Sequence, residues 1–215
     1  MTDYPVVFRV AGMPVVVVGG GRVAARKTEK LLAAGAQVTV ISPELGEAMA
    51  MWAEQGKINW RAKRFEPSDI EGARLVIAAT DDPDVNMAVY QSLRPHQWIN
   101  MVDRPELSHF TVPATLRRGR LTISVSTGGA SPELARRIAE QLEEQYEDVY
   151  AEYVDFLARC RQEILRRVPE RGRRRMLLAE LLDPVFLQLT KAGRRRERER
   201  RFRALLMSGM DEAED

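Results

Sequence analysis

The sequence predicts an α/β protein: a parallel sheet flanked by helices, followed by a small segment suited to dimerisation and a helical C-terminal domain. Three observations predict it. Short, nearly continuous apolar runs recur through the first half, amphipathic stretches at three-to-four spacing separate them, and beyond Ser131-Pro132 the pattern turns mostly helical. Runs that are apolar at almost every position suit strands covered on both faces. Their alternation with helices suits a parallel sheet with right-handed crossovers.

The strand runs are Val6–Val10, Val15–Val18, Val38–Ile41, Ile58–Trp60, Leu75–Ala79 and Trp98–Val102. Between them, helices are expected over Val23–Ala34, Glu44–Glu54 and Val85–Leu93, each ending near a breaker, Gly35, Gly56 or Pro95. Farther on, Thr111–Leu116 and Leu121–Ser126 have extended character, joined by a turn at Arg117-Arg118-Gly119. Gly128-Gly129 then breaks the chain. Ser131 stands as N-cap, Pro132 in the first turn and Glu133 beside the positive end of a long helix. Interruptions at Pro169–Gly172, Pro184 and Gly193 divide the helical remainder. The expected domains are residues 1–113, a dimerisation segment over 114–150, and a helical domain over 151–215.

Composition narrows the function classes. In 215 residues, 33 Lys and Arg face 31 Asp and Glu, a net charge of +2 that gives no global pull towards nucleic acid or membrane. Cys160 is the only cysteine, so no intrachain disulfide and no multi-cysteine metal site can form; with His96 and His109 the only histidines, no protein-built metal site is expected. The start carries Asp3 and lacks a basic region before a long apolar run, and no stretch reaches the length of a membrane span. A cytoplasmic protein is expected. The runs Arg171–Arg175 and Arg194–Arg203 read as a solvated helical face or as a basic edge near a polycarboxylate ligand; no aromatic interleaving accompanies them, which argues against nucleic acid.

Gly19-Gly20-Gly21-Arg22-Val23-Ala24 follows one strand and opens a helix. It is the G-x-G-x-x-A form of the dinucleotide fingerprint in its strand–turn–helix setting, and it makes residues 1–113 an expected NAD-binding Rossmann domain. Gly19 permits the tight turn, Gly21 lets a pyrophosphate approach backbone without a Cβ, and Ala24 allows helix to pack closely on strand. The helix start at Arg22 and Val23 then offers free N–H groups to phosphate. Arg22 and Lys27 could also meet a phosphate, or stand as exposed helix charges. The acidic residue usual at the end of the second strand is missing, and Ser42 occupies its place. A serine can bond a ribose hydroxyl but does not repel a 2′-phosphate, so spacing leaves NAD against NADP open. At the end of the fourth core strand, Thr80 and Asp81 are placed to touch the cofactor, although Asp81 or Asp82 could equally cap the next helix.

Three segments together resemble the precorrin-2 dehydrogenase and siroheme synthase amino-terminal family: VVVVGGGRVAARK (Val15–Lys27), NMVDRPELSHFTVP (Asn100–Pro113) and ISVSTGGASPELAR (Ile123–Arg136). The first is common to many nucleotide enzymes. The second and third are particular, above all N-x-x-D followed by F-x-x-P and the later S-T-G-G-x-S-P. The likeness covers roughly Tyr4 to Gln145 and thins in the helical tail. It implies a homodimer that oxidises precorrin-2, a tetrapyrrole, to sirohydrochlorin with NAD.

The resemblance also implies a catalytic role for Asp103. Placed after the strand Trp98–Val102, its carboxylate could accept a proton as hydride leaves, or only bond loop backbone. Asn100 is expected to shape that loop. Gly128, Gly129 and Ser131 form an exposed helix start that suits substrate carboxylates, or is an ordinary capped helix. Thr127, where some relatives carry serine, could touch substrate or be phosphorylated, and His109 could serve as acid, base or substrate contact. A dehydrogenase that also inserts iron would share every one of these motifs. A non-catalytic nucleotide-sensing module would share the glycine loop but has no need of Asp103 or the STGGASP turn.

Overall fold

A computed structural model describes residues 3–211, with side chains through Ser208. The chain divides into two compact units, Met1–Val112 and Pro113–Asp215. The first holds five parallel strands, β1 (Pro14–Val18), β2 (Gln37–Ile41), β3 (Asn59–Arg61), β4 (Leu75–Ala78) and β5 (Trp98–Met101), in the order β3-β2-β1-β4-β5. Alternate residues serve two separate cores. Val15, Val17, Val38, Val40, Leu75 and Ile77 pack under α1 (Arg22–Ala33) and α2 (Glu47–Glu54). Val16, Val18, Ile41, Val76, Ala78, Ile99 and Met101 pack under α3 (Pro83–Gln91) on the other face. Burial on both sides is why these strands are apolar at nearly every position. Because the helices after β1 and β4 cover opposite faces, the strand order reverses between β1 and β4, and a crevice opens at the carboxyl edge there.

Two expectations need correction in this unit. Val6–Val10 is apolar throughout yet forms no strand. The edge it would need is taken: the N–H groups of Ile99 and Met101 already donate to His109 Nδ1 (3.4 Å) and Ser108 Oγ (2.8 Å). The run is not buried on two faces either, since Val6 and Val7 are 59% and 90% exposed; Phe8 packs edge-on against Trp98, with ring centroids 4.6 Å apart. The helix expected from Glu44 starts at Glu47, because residues 44–46 first cross the glycine loop, where Gly46 N–H donates to the Gly20 carbonyl at 2.9 Å.

In the second unit, β6 (Ala114–Arg118) and β7 (Leu121–Val125) form an antiparallel hairpin. The third correction of the element boundaries falls here. The hairpin begins at Ala114 and turns at Gly119-Arg120, pairing Arg118 with Leu121. Gly119 has φ +56°, the left-handed conformation that the first place of a two-residue hairpin loop demands. Leu116 is buried beneath α4 (Pro132–Gln145), where Ala135 and Ala139 present small side chains and allow close approach. Helices α5 (Val149–Arg167), α6 (Arg171–Glu180), α7 (Pro184–Lys191) and α8 (Arg195–Asp211) enclose a core of Tyr153, Phe156, Ile164, Leu177, Phe186 and Phe202. Cys160 is fully buried among them, and burial pushes its thiol up to about 12, so it remains protonated and inert.

The basic run on α8 is not wholly a solvated face. Arg198 is buried, its guanidinium 4.4 Å from the Phe156 ring centre, 2.8 Å from Thr190 Oγ1 and 3.0 Å from Glu152. Arg195 forms a bidentate pair with Glu152, and Arg159 with Glu199. Among the described residues, no helix is long and apolar enough to cross a membrane, and no three His, Cys, Asp or Glu residues cluster as metal ligands.

Candidate active site

The carboxyl edge of the parallel sheet gathers Gly19–Ala24 after β1, Ser42 after β2, Thr80 and Asp81 after β4, and Asp103 after β5. Each glycine of the loop answers a different neighbour. Gly19 has φ +123°, and a Cβ there would stand 2.3 Å from the Ala79 carbonyl oxygen. Gly20, not singled out by the fingerprint, lies under the 44–46 crossing, and its Cβ would meet the Glu44 carbonyl oxygen at 2.0 Å. Gly21 faces open space, with nothing within 4 Å of a Cβ. Gly20→Ala should therefore lower stability, by about 1–3 kcal/mol if the crossing shifts as an overpacked core does. A thermal melt of the variant checks this; an unchanged midpoint would show that the crossing yields freely.

Helix α1 starts without a cap. Gly21 offers no side chain, the first recorded helical bond is Ala25 N–H to the Gly21 carbonyl at 3.0 Å, and no acidic residue sits in the first turn. Among the described residues the N–H groups of Arg22, Val23 and Ala24 have no recorded acceptor. Ala24 is fully buried, which brings the helix close to the strands, whereas Arg22 and Val23 are exposed. A helix end with free donors and no competing carboxylate is the form that accepts phosphate.

The β4 end is held by a residue that sequence reasoning missed. Asn86, 1% exposed on α3, accepts from Thr80 N–H at 3.1 Å and Thr80 Oγ1 at 2.9 Å, and donates to the Thr80 carbonyl at 3.1 Å. Asp82, rather than Asp81, caps α3, accepting from Asp84 and Val85 N–H. Asp81 stays exposed. Ser42 is buried, its hydroxyl donating to the Glu44 carbonyl at 2.6 Å while its own carbonyl accepts from Trp60 Nε1 at 2.9 Å.

Asp103 is exposed, with no recorded hydrogen bond or ion pair among the described residues. The loop bearing it is anchored on both sides. Val102 N–H continues the ladder to the Ala78 carbonyl at 3.1 Å, and residues 108–110 return along the outer edge of β5, with His109 N–H on the Ile99 carbonyl at 2.9 Å. His109 thus spends Nδ1 on the Ile99 N–H, away from Asp103's end of the strand. Asn100 is buried on β5, accepting from Lys27 Nζ at 2.9 Å and donating to the Phe110 carbonyl at 3.0 Å.

The remaining predicted residues lie in the second unit. Thr127 Oγ1 donates to the Ser131 carbonyl and accepts from Ser131 N–H, both at 3.0 Å, and Ser131 Oγ accepts from Leu134 N–H at 3.2 Å. Gly128 and Gly129 take φ +60° and +84° in the turn before α4. With Pro132 lacking an N–H, this helix start is far more self-satisfied than that of α1.

Strand order, glycine loop and uncapped helix together define a dinucleotide-binding protein of the Rossmann type. Comparison with known proteins narrows the class. An NAD(P)-binding family model matches residues 6–114, and a sirohaem biosynthesis protein central-region model matches residues 118–145. The precorrin-2 dehydrogenase of Priestia megaterium is 34% identical over 189 residues, covering 87% of this chain and 94% of that protein. The solved structure of SirC, precorrin-2 dehydrogenase, superposes with a TM-score of 0.79 at 32% identity, covering 94% of this chain and all of that one. The siroheme synthase of Methylococcus capsulatus is 39% identical over 200 residues, 92% of this chain but 42% of the relative. The chain spans about two fifths of the length of the curated siroheme synthases it matches. It belongs to the precorrin-2 dehydrogenase and siroheme synthase family.

Proposed function

We propose that this chain oxidises precorrin-2 to sirohydrochlorin in siroheme biosynthesis, with NAD as cofactor. The observation that carries the reading is one edge of one sheet: an uncapped α1 start after β1 and, after β5, the Asp103 carboxylate, unpaired among the described residues. The open space at Gly21 and the free N–H groups of Arg22, Val23 and Ala24 fit a pyrophosphate, with Gly19 shaping the turn and Thr80 and Asp81 beside it. Ser42 stands at the ribose end of the crevice without a carboxylate. Bound there, NAD supplies the hydride acceptor. Asp103 takes the proton that the macrocycle releases on oxidation, since its carboxylate has no competing partner among the described residues. Taken unit by unit, His109 in the first and Thr127, Gly128, Gly129 and Ser131 in the second are each proposed contacts for substrate carboxylates. With the Thr127 and Ser131 hydroxyls committed to the turn, the N–H groups of Gly129 and Glu133 are the donors left at α4.

The test is anaerobic oxidation of precorrin-2 by the purified chain, followed by absorbance, with NAD and NADP compared. Sirohydrochlorin formation that requires protein and nucleotide is expected; none with either nucleotide would overturn the reading.

A homodimer built through the second unit is part of the same proposal. A two-stranded sheet is marginal by itself, both of its strands have an open edge, and Leu134 on α4 is 49% exposed. Light scattering at micromolar concentration should give twice the chain mass, and a monomer would count against it.

A further inference from the structure

We propose that Lys27 is a positioning residue: through Asn100 it fastens the segment 102–110, and with it Asp103, to the helix that holds the cofactor. The inference rests on the dehydrogenase reading above for its meaning, but its geometry is independent of it.

Lys27 lies in the second turn of α1, and its ammonium donates to Asn100 Oδ1 at 2.9 Å, across to β5. Asn100 is 6% exposed and turns its other end to the Phe110 carbonyl, 3.0 Å from Nδ2. The partners set the amide orientation. Reversed, it would press its NH₂ against an ammonium and its oxygen against a carbonyl, so the cation selects the one rotamer that holds Phe110. Residues 102–110 contain only a single 3₁₀ turn, Pro105–Leu107, so beyond the backbone bonds at Val102 and His109 their placement depends on side-chain ties such as this one. Asp103 sits between Val102, paired to Ala78, and the tied return through Ser108, His109 and Phe110.

The ammonium is costly where it stands. It is partly buried, it has no carboxylate within ion-pair distance among the described residues, and Arg26 and Lys30 flank it. Burial first, then those two cations, hold its pKa below the usual lysine value. A methionine would fill the same space without that penalty, so the charge is explained by what it holds rather than by packing.

The experiment compares Lys27→Met and Lys27→Arg with the native chain by hydrogen–deuterium exchange, NAD titration and precorrin-2 kinetics. In Lys27→Met, exchange across residues 102–110 should quicken by about tenfold, the size of one lost hydrogen bond to a charged group, while β1 and β4 stay protected. NAD affinity should hold within about threefold, and kcat should fall by about tenfold or more, as misplaced catalytic groups do; Lys27→Arg should recover part of both. Unchanged exchange in 102–110 would overturn the fastening. Loss of NAD affinity in step with turnover would make Lys27 a cofactor ligand instead, and unchanged kcat per folded molecule would leave it merely structural; either result overturns the proposal. Should Lys27→Met fail to fold, Asn100→Ser breaks the same tie from the other end, leaving the ammonium without its amide acceptor, and carries the same measurements. If the native chain does not oxidise precorrin-2 at all, the functional reading fails, while the exchange data still decide whether Lys27 holds the segment.

Discussion

Replacing Gly21 with Asp should abolish dinucleotide binding and leave the protein folded. Gly21 is the N-cap of α1 with φ −84°, a conformation open to any residue, and a Cβ there meets nothing within 4 Å. Aspartate is among the best N-cap residues, so the helix itself should gain. The loss comes from chemistry: an N-cap carboxylate accepts the N2 and N3 N–H groups, here those of Val23 and Ala24, which are the donors a pyrophosphate needs. It also sets a negative charge against the phosphates. At about 4 Å and an effective dielectric near 20, two unit charges repel by about 4 kcal/mol. That is on the order of a thousandfold in affinity. Titration with NAD together with a thermal melt checks both halves. Normal affinity would remove the loop from cofactor binding, and an unfolded variant would contradict the open space at this position. Gly21→Ser, a cap without charge, should lose much less.

Asp103→Asn should cut turnover by about a hundred- to ten-thousand-fold, the range for a positioned acid–base group, with NAD affinity almost unchanged. Asparagine keeps the size of aspartate but cannot act as a carboxylate base. Since Asp103 is exposed and makes no recorded hydrogen bond among the described residues, its replacement should leave the melting temperature nearly where it was. A role confined to the loop predicts the opposite: a lower melting temperature with turnover per folded molecule retained. Precorrin-2 oxidation, NAD affinity and thermal stability measured on one preparation separate the two, and near-normal oxidation by a well-folded variant would take Asp103 out of the mechanism.

How far the residues alone lead can be judged position by position. Gly19, Gly21 and Ala24 were legible because the dinucleotide loop is local: one strand, one turn and one helix specify it within ten residues. Ser131 was legible as a cap for the same reason, and the structure completes it with Leu134 N–H. Gly20 and Asn86 were not. The demand on Gly20 comes from the Glu44 carbonyl, twenty-four positions on, and Asn86 matters only because α3 folds back beneath the end of β4. Val6–Val10 shows the opposite failure, an apolar run with strand composition kept off the β5 edge because side chains of Ser108 and His109 occupy it.

By itself, then, the sequence determined the α/β class, the order of the core strands' neighbours in the chain, the dinucleotide loop and the carboxylate at the end of β5, all set by periodicity and short-range turn chemistry. Tertiary structure alone decided which strand edges are free, which helix start keeps its donors, that Arg198 of a charged run is buried, and that Lys27 reaches Asn100 seventy-three residues away. These depend on where distant segments meet, and a hydrogen bond or a steric contact between them is fixed by distances of a few tenths of an ångström that no local pattern encodes.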